Sequence, residues 1–127
     1  MIFNKNEIPL PEVASQISQE VFPGALIVAG LQSLWRLPSY GLQITTTNAS
    51  ILLGISKGPK MQIVSLRVNE QKVGIGKSTV VDVERIASDL GIKEITVLNG
   101  KDTAGFWEKC GYEQTIWRHN FNKKIQP

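Results

Sequence analysis

The chain has 127 residues, a formal net charge of +3 and an isoelectric point near 9.1. One cysteine and one histidine exclude an internal disulfide, a multi-cysteine zinc centre and a histidine-rich metal site. Basic residues are scattered, with no run of five, which excludes a nucleic-acid-binding composition, and the longest apolar stretch, 25–31, is too short to cross a membrane.

An apolar content of 42% is enough for a core, and 1–127 is expected to form a single domain. The first residues show no charged segment followed by a long apolar one, so a cytoplasmic protein is expected.

Residues 7–22 carry Leu10, Val13, Ile17 and Val21 at spacings of three and four, which predicts a helix. Pro11 suits its first turn, and Pro23 with Gly24 ends it. The apolar stretch 25–34 is read as a second helix, and 38–41 as a loop. Residues 42–47 and 49–56 predict a hairpin turning at Asn48; 57–60 is a further turn, and 61–68 a third strand. A glycine-containing turn follows at 71–76, then an amphipathic helix over 77–90. Its apolar face is Val80, Val81, Val83, Ile86, Ala87 and Leu90, and Gly91 stops it. A strand is expected at 92–98, a short helix at 103–110, and one long strand at 112–121. Lys123 and Lys124 are read as a solvated tail.

The predicted fold is α/β: a mixed, mostly antiparallel sheet with a central parallel pair, 61–68 and 92–98, flanked by helices. The parallel pair follows from the strand–helix–strand order. It puts the glycine turn at the end of the first of these strands. A helix start preceded by glycines is an anion site: unpaired N–H groups point outward, the dipole favours negative charge, and no Cβ blocks the approach.

Two phosphate motifs compete there. Gly76-Lys77-Ser78-Thr79 resembles the end of a Walker A loop, but the required earlier glycine is Gln71, and Asn99 stands where an aspartate would hold magnesium. Gln71-x-x-Gly74-x-Gly76 matches the alternative, Gln/Arg-x-x-Gly-x-Gly/Ala. Downstream, Phe106-Trp107-Glu108-Lys109-Cys110-Gly111-Tyr112-Glu113 follows a strand at 95–98. Together these resemble the GNAT N-acyltransferase superfamily over about 61–114.

The resemblance implies a turn that holds the pyrophosphate of an acyl-coenzyme A. The donors would be backbone N–H groups of Val73, Gly74, Ile75 and Gly76, with Lys77 and Ser78 at the helix start and Gln71 opening the motif. It also implies that the backbone of Leu66 pairs with the pantetheine arm. A backbone N–H nearby would polarise the thioester carbonyl. The family asparagine aligns with Gly100, and Asn99 stands one position away.

The family's general-acid tyrosine is Trp107 here, and an indole is no useful acid near neutral pH. No carboxylate lies in 61–68, and Glu70 is read as solvated. Cys110 is read as packing and His119 as a surface residue, so no catalytic residue is assigned.

The implied activity is acyl-coenzyme A-dependent N-acyl transfer, with acetyl-coenzyme A as co-substrate, to an unidentified amine. The alternative is a reduced relative that binds coenzyme A or a protein partner without transfer. Only Met1 to Phe3 could supply an N-terminal strand. The exposed sheet edge then predicts a homodimer, with the interface expected at 112–121 through Ile116, Trp117 and Phe121.

Overall fold

The computed structural model describes residues 8–31, 39–68, 74–117 and 119–125. The first helix, α1 (Pro11–Val21), begins with proline at its N-terminus and buries Ala14 and Ser18. The Ser18 hydroxyl donates to the Ala14 carbonyl at 2.7 Å, so a polar side chain enters the core with its hydrogen bond made.

The next element departs from expectation. Residues within 25–34 form a strand, β1 (Leu26–Leu31), rather than a second helix. It pairs antiparallel with β2 (Ser39–Thr45), setting Ile27 opposite Ile44 and Leu26 opposite Thr45. A short apolar run fits either period; β-branched Ile27 and Val28 and a ready partner decide for the strand. The start of β2 also takes in the positions read as loop, because Tyr40 is buried and donates its hydroxyl to the Pro9 carbonyl at 2.7 Å.

β3 (Ala49–Ser56) and β4 (Lys60–Val68) complete the meander, close to prediction. After the glycine turn comes α2 (Ile75–Asp89), two residues earlier than read, burying Thr79, Val80, Val83, Ile86 and Ala87. Val81, expected on the buried face, is exposed: it follows Val80 by 100° of helix rotation and falls off the apolar stripe. Gly91, at φ +76°, closes the helix: its N–H donates to Ser88, and that of Ile92 donates to Ala87.

β5 (Glu94–Val97) lies parallel to β4, as the order of elements predicts. A 3₁₀ turn at Lys101–Thr103 leads into α3 (Ala104–Lys109). The C-terminal segment is not one long strand. It makes β6 (Glu113–Gln114), a turn, and β7 (Phe121–Lys124). Thr115 shapes the turn: its hydroxyl accepts from Trp117 N–H at 3.1 Å and donates to the Trp117 carbonyl at 2.9 Å.

The sheet order is β1-β2-β3-β4-β5-β7-β6, with β4 and β5 the parallel pair. One face carries Leu42, Ile44, Ile51, Leu53, Ile63 and Val97, all buried, together with α1 and α2. Each such side chain contributes roughly 1.5–3 kcal/mol on burial. Lys123 is no solvated tail: it lies on β7 and pairs with Glu84 of α2 at 3.2 Å. The segment 1–3, read as the only candidate for an N-terminal strand, lies outside the described residues. Among the described residues no helix is long and apolar enough to cross a membrane, and no metal-binding group of His, Cys, Asp or Glu occurs.

Candidate functional site

Strands β4 and β5 part company. Their parallel register covers Met61 with Ile95, Gln62 with Thr96, and Ile63 with Val97, and the Leu98 N–H reaches the Ile63 carbonyl at 3.0 Å. Among the described residues, β4 beyond Ile63 runs on to Val68 paired only with β3. A gap therefore opens at the carboxyl ends of the parallel pair, the usual place for a ligand in such sheets.

A bulge prepares the β4 side of this gap. Leu53 pairs with Ile63 but Leu52 pairs with Ser65, so Val64 is the extra residue. One inserted residue reverses side-chain parity. Leu66 and Val68 thus share the face of Met61 and Ile63, opposite buried Ile51 and Ala49. Without the bulge, Ser65 and Arg67 would stand there. The bulge left no mark in the sequence, because it exists only relative to β3.

On the far side of the gap, α2 begins without a side-chain cap. Gly74, at φ +93°, makes the left-handed turn into it, and a Cβ there would meet nothing within 4 Å. Among the described residues, the Ser78 N–H is the first to find an acceptor, the Gly74 carbonyl at 2.9 Å. The N–H groups of Ile75, Gly76 and Lys77 therefore stand at the free helix end.

A cleft of about 580 Å³ joins these features. Leu66 and Val68 form one wall, Gly74, Gly76 and Lys77 the second, and Thr103, Phe106, Trp107, Lys109 and Cys110 of the α3 region the third. Its lining is mostly apolar, with two lysines and no carboxylate or histidine among the described residues.

The structure brings Leu66, Gly74, Gly76 and Lys77 of the predicted site together. Ile75 and Ser78 flank them on α2; the Ser78 hydroxyl donates to the Ile75 carbonyl at 3.0 Å, and the Thr79 hydroxyl joins it at 2.7 Å. Asn99 is not in the cleft wall. It sits exposed at φ +55°, its N–H held by Asn120 Oδ1 at 3.2 Å. Gln71, Val73 and Glu70 lie outside the described residues. The cleft is also lined by Val68, Thr103, Phe106 and Lys109, which the site reading did not include; for Phe106 and Lys109 the matched segment 106–113 was the available signal.

Trp107 is buried, with edge-on contacts to Phe106 at 5.0 Å and Tyr112 at 5.4 Å. Its indole N–H donates to the Thr103 hydroxyl at 2.9 Å. Cys110 is buried at the same helix end. Burial, and then the Glu84 carboxylate, push its thiol above the ordinary value, which keeps it neutral. His119 is exposed, its carbonyl accepting from the Gly100 N–H.

No protein-family model and no curated protein matches the sequence. Solved structures do match. Elp3 of the archaeon Methanocaldococcus infernus superposes with a TM-score of 0.57 at 17% identity, over 80% of this chain. The AtaTR complex bound with acetyl-coenzyme A gives 0.53 at 16% identity, over 70% of this chain and 68% of that one. This is the GNAT fold.

A third GNAT structure is similar: the AtaT toxin bound to the C-terminus of the antitoxin AtaR and acetyl-coenzyme A. It has a TM-score of 0.50 and 15% identity over 70% of this chain and 67% of that one. The chain spans only 30% of the Elp3 chain. On that fold this sequence places parted strands, a glycine start to α2 and a cleft between them.

Proposed function

We propose that the domain, taken as 1–127, binds an acyl-coenzyme A, acetyl-coenzyme A first among them, and transfers the acyl group to an amine. The observation that carries this is the continuity of the cleft. One mostly apolar cleft is lined at once by the uncapped start of α2, by Leu66 and Val68 on the part of β4 beyond its pairing with β5, and by α3.

The wall chemistry fits such a ligand. The N–H groups at Gly76 and Lys77 suit a diphosphate, each dipole contact adding roughly 0.3–1 kcal/mol before hydrogen bonds. Lys77 and Lys109 add positive charge to the lining. Leu66, Val68 and Phe106 suit an uncharged aliphatic arm. The acetyl-coenzyme A present in the AtaTR structure supports the same choice.

When bound, the thioester supplies the activated acyl group. This chain's own part is to hold and orient it. Orientation alone can carry much of a transfer reaction. No carboxylate or histidine in the described lining takes a proton, and the Trp107 indole is engaged by Thr103. With the described lining alone, the amine arrives neutral or loses its proton to water.

That last observation favours a second reading, in which the domain binds coenzyme A or a protein partner and performs no transfer. The antitoxin bound to AtaT makes a protein partner reasonable. Calorimetry with acetyl-coenzyme A, followed by thiol release over a panel of amines and N-terminal peptides, separates the two. Binding with release supports transfer. Binding without release across the panel supports the second reading. No binding removes both coenzyme A readings.

A further inference from the structure

Among the described residues the strand β1 (Leu26–Leu31) ends the sheet. Among them it pairs with β2 alone. It contains no charged residue, no proline and no bulge, the devices that normally blunt an edge strand. The opposite edge, β6, is two exposed residues long and carries the Glu113 carboxylate. The segment expected to form an interface is partly core: Tyr112 and Phe121 are buried.

We propose that β1 pairs antiparallel with the β1 of a second copy about a two-fold axis at Val28. The strand is self-complementary in that register. Directly opposed residues in an antiparallel pair share a face, so the paired numbers must sum to an even value. Centring on Val28 sets Val28 against itself, Leu26 against Gly30, and Ile27 against Ala29. Leu26 is 66% exposed and Val28 51% exposed, both on the sheet face away from α1 and α2. Among the described residues, a Cβ at Gly30 would meet nothing within 4 Å, so none of them fills the space that the partner's Leu26 would take. The large and small positions thus interlock twice by symmetry, the isologous form that identical subunits favour.

The pairing does not depend on the acyltransferase reading. It commits to a small interface. Six residues span about 20 Å, and two such edges bury less than the roughly 1,200 Å² of a tight dimer. Association is therefore concentration-dependent.

Sedimentation velocity from low to high micromolar concentration tests it. The expected result is a shift from one chain toward two. Val28→Lys sets two ammonium groups against each other at the axis and weakens association at least tenfold, at a position exposed enough to spare the fold. Val28→Cys cross-links under mild oxidation and Ala29→Cys does not, with buried Cys110 as the internal control. A mass of one chain throughout overturns the proposal. So does a dimer insensitive to Val28→Lys but lost on Trp117→Lys, which would place the interface at the β6–β7 turn. Preferred cross-linking of Ala29→Cys overturns the register and the packing argument with it. Protection of β1 amides from exchange that is independent of concentration would mean that the chain covers its own edge.

Discussion

A Cβ built on Gly76 would lie 3.0 Å from Cε1 of Phe106, tighter than ordinary contact. The first turn of α2 is therefore pressed against α3, and glycine is what allows it. Gly76 is not simply a solvent-facing cradle residue, as the sequence suggests. It sets the width of the cleft between the two helices.

Gly76→Val should thus act twice. The branched side chain displaces Phe106 into the cleft, lowering acetyl-coenzyme A affinity at least tenfold. It also costs about 1–3 kcal/mol of overpacking strain. Gly74→Ala separates the effects: its Cβ meets nothing, but φ of +93° costs about 1–2 kcal/mol. Calorimetry beside thermal unfolding checks both. Equal melting temperatures for wild type and Gly76→Val would mean that Phe106 yields freely.

Trp107→Phe removes the indole N–H that holds the Thr103 hydroxyl, and some buried volume. The lost bond is worth about 0.5–1.5 kcal/mol and the volume a similar amount. If transfer occurs, its rate should fall less than tenfold, because the engaged indole supplies no proton. A hundredfold loss of kcat in a folded variant would give Trp107 a direct part in the chemistry.

Much of the fold was legible. The β2–β3–β4 meander has β-branched alternation and plain turn residues, and Gly91 and Gly111 stop helices where a left-handed residue is needed. What failed had physical reasons. Residues 26–31 fit either period, and the choice was made by Ile44 and Thr45 on another strand. The segment 112–121 looked continuous because its apolar residues hide a turn that depends on the Thr115 hydroxyl. In the site, the glycines and Leu66 were readable as a motif. The bulge at Val64 was not, since it depends on the register with β3; the α3 wall was marked only by the matched segment 106–113, which did not say that it faces the cleft.

Glu84 joins three elements. It accepts the Tyr112 hydroxyl at 3.0 Å and pairs with Lys123, whose ammonium also donates to the Cys110 carbonyl at 3.0 Å. Glu84→Ala leaves a buried phenol without its acceptor, costing about 1–3 kcal/mol. Glu84→Gln keeps an acceptor oxygen for Tyr112 and should recover about half of that. Urea unfolding of the two variants checks this. Equal losses would mean that the Lys123 charge pair, and not the phenol bond, dominates.

The last expectation concerns alkali. Burial raises the pKa of Tyr40, with the Glu12 carboxylate adding to it; burial also raises that of Tyr112, with Glu84 adding charge and a hydrogen bond. Both phenols are held protonated in the folded chain, whereas an unfolded tyrosine ionises near about pH 10. A raised folded pKa gives stability that is complete below the unfolded value and is lost as pH climbs toward the folded one. Above about pH 10 the unfolded state binds fewer protons, so each tyrosine lowers stability by up to about 1.4 kcal/mol per pH unit. Tyr40→Phe is the clean probe. It loses the bond to the Pro9 carbonyl at every pH, but nothing remains there to ionise. Its stability should start lower at neutral pH and fall less steeply above about pH 10 than that of the wild type. Parallel slopes for the two proteins in urea unfolding across that range would show that Tyr40 ionises without unfolding the chain.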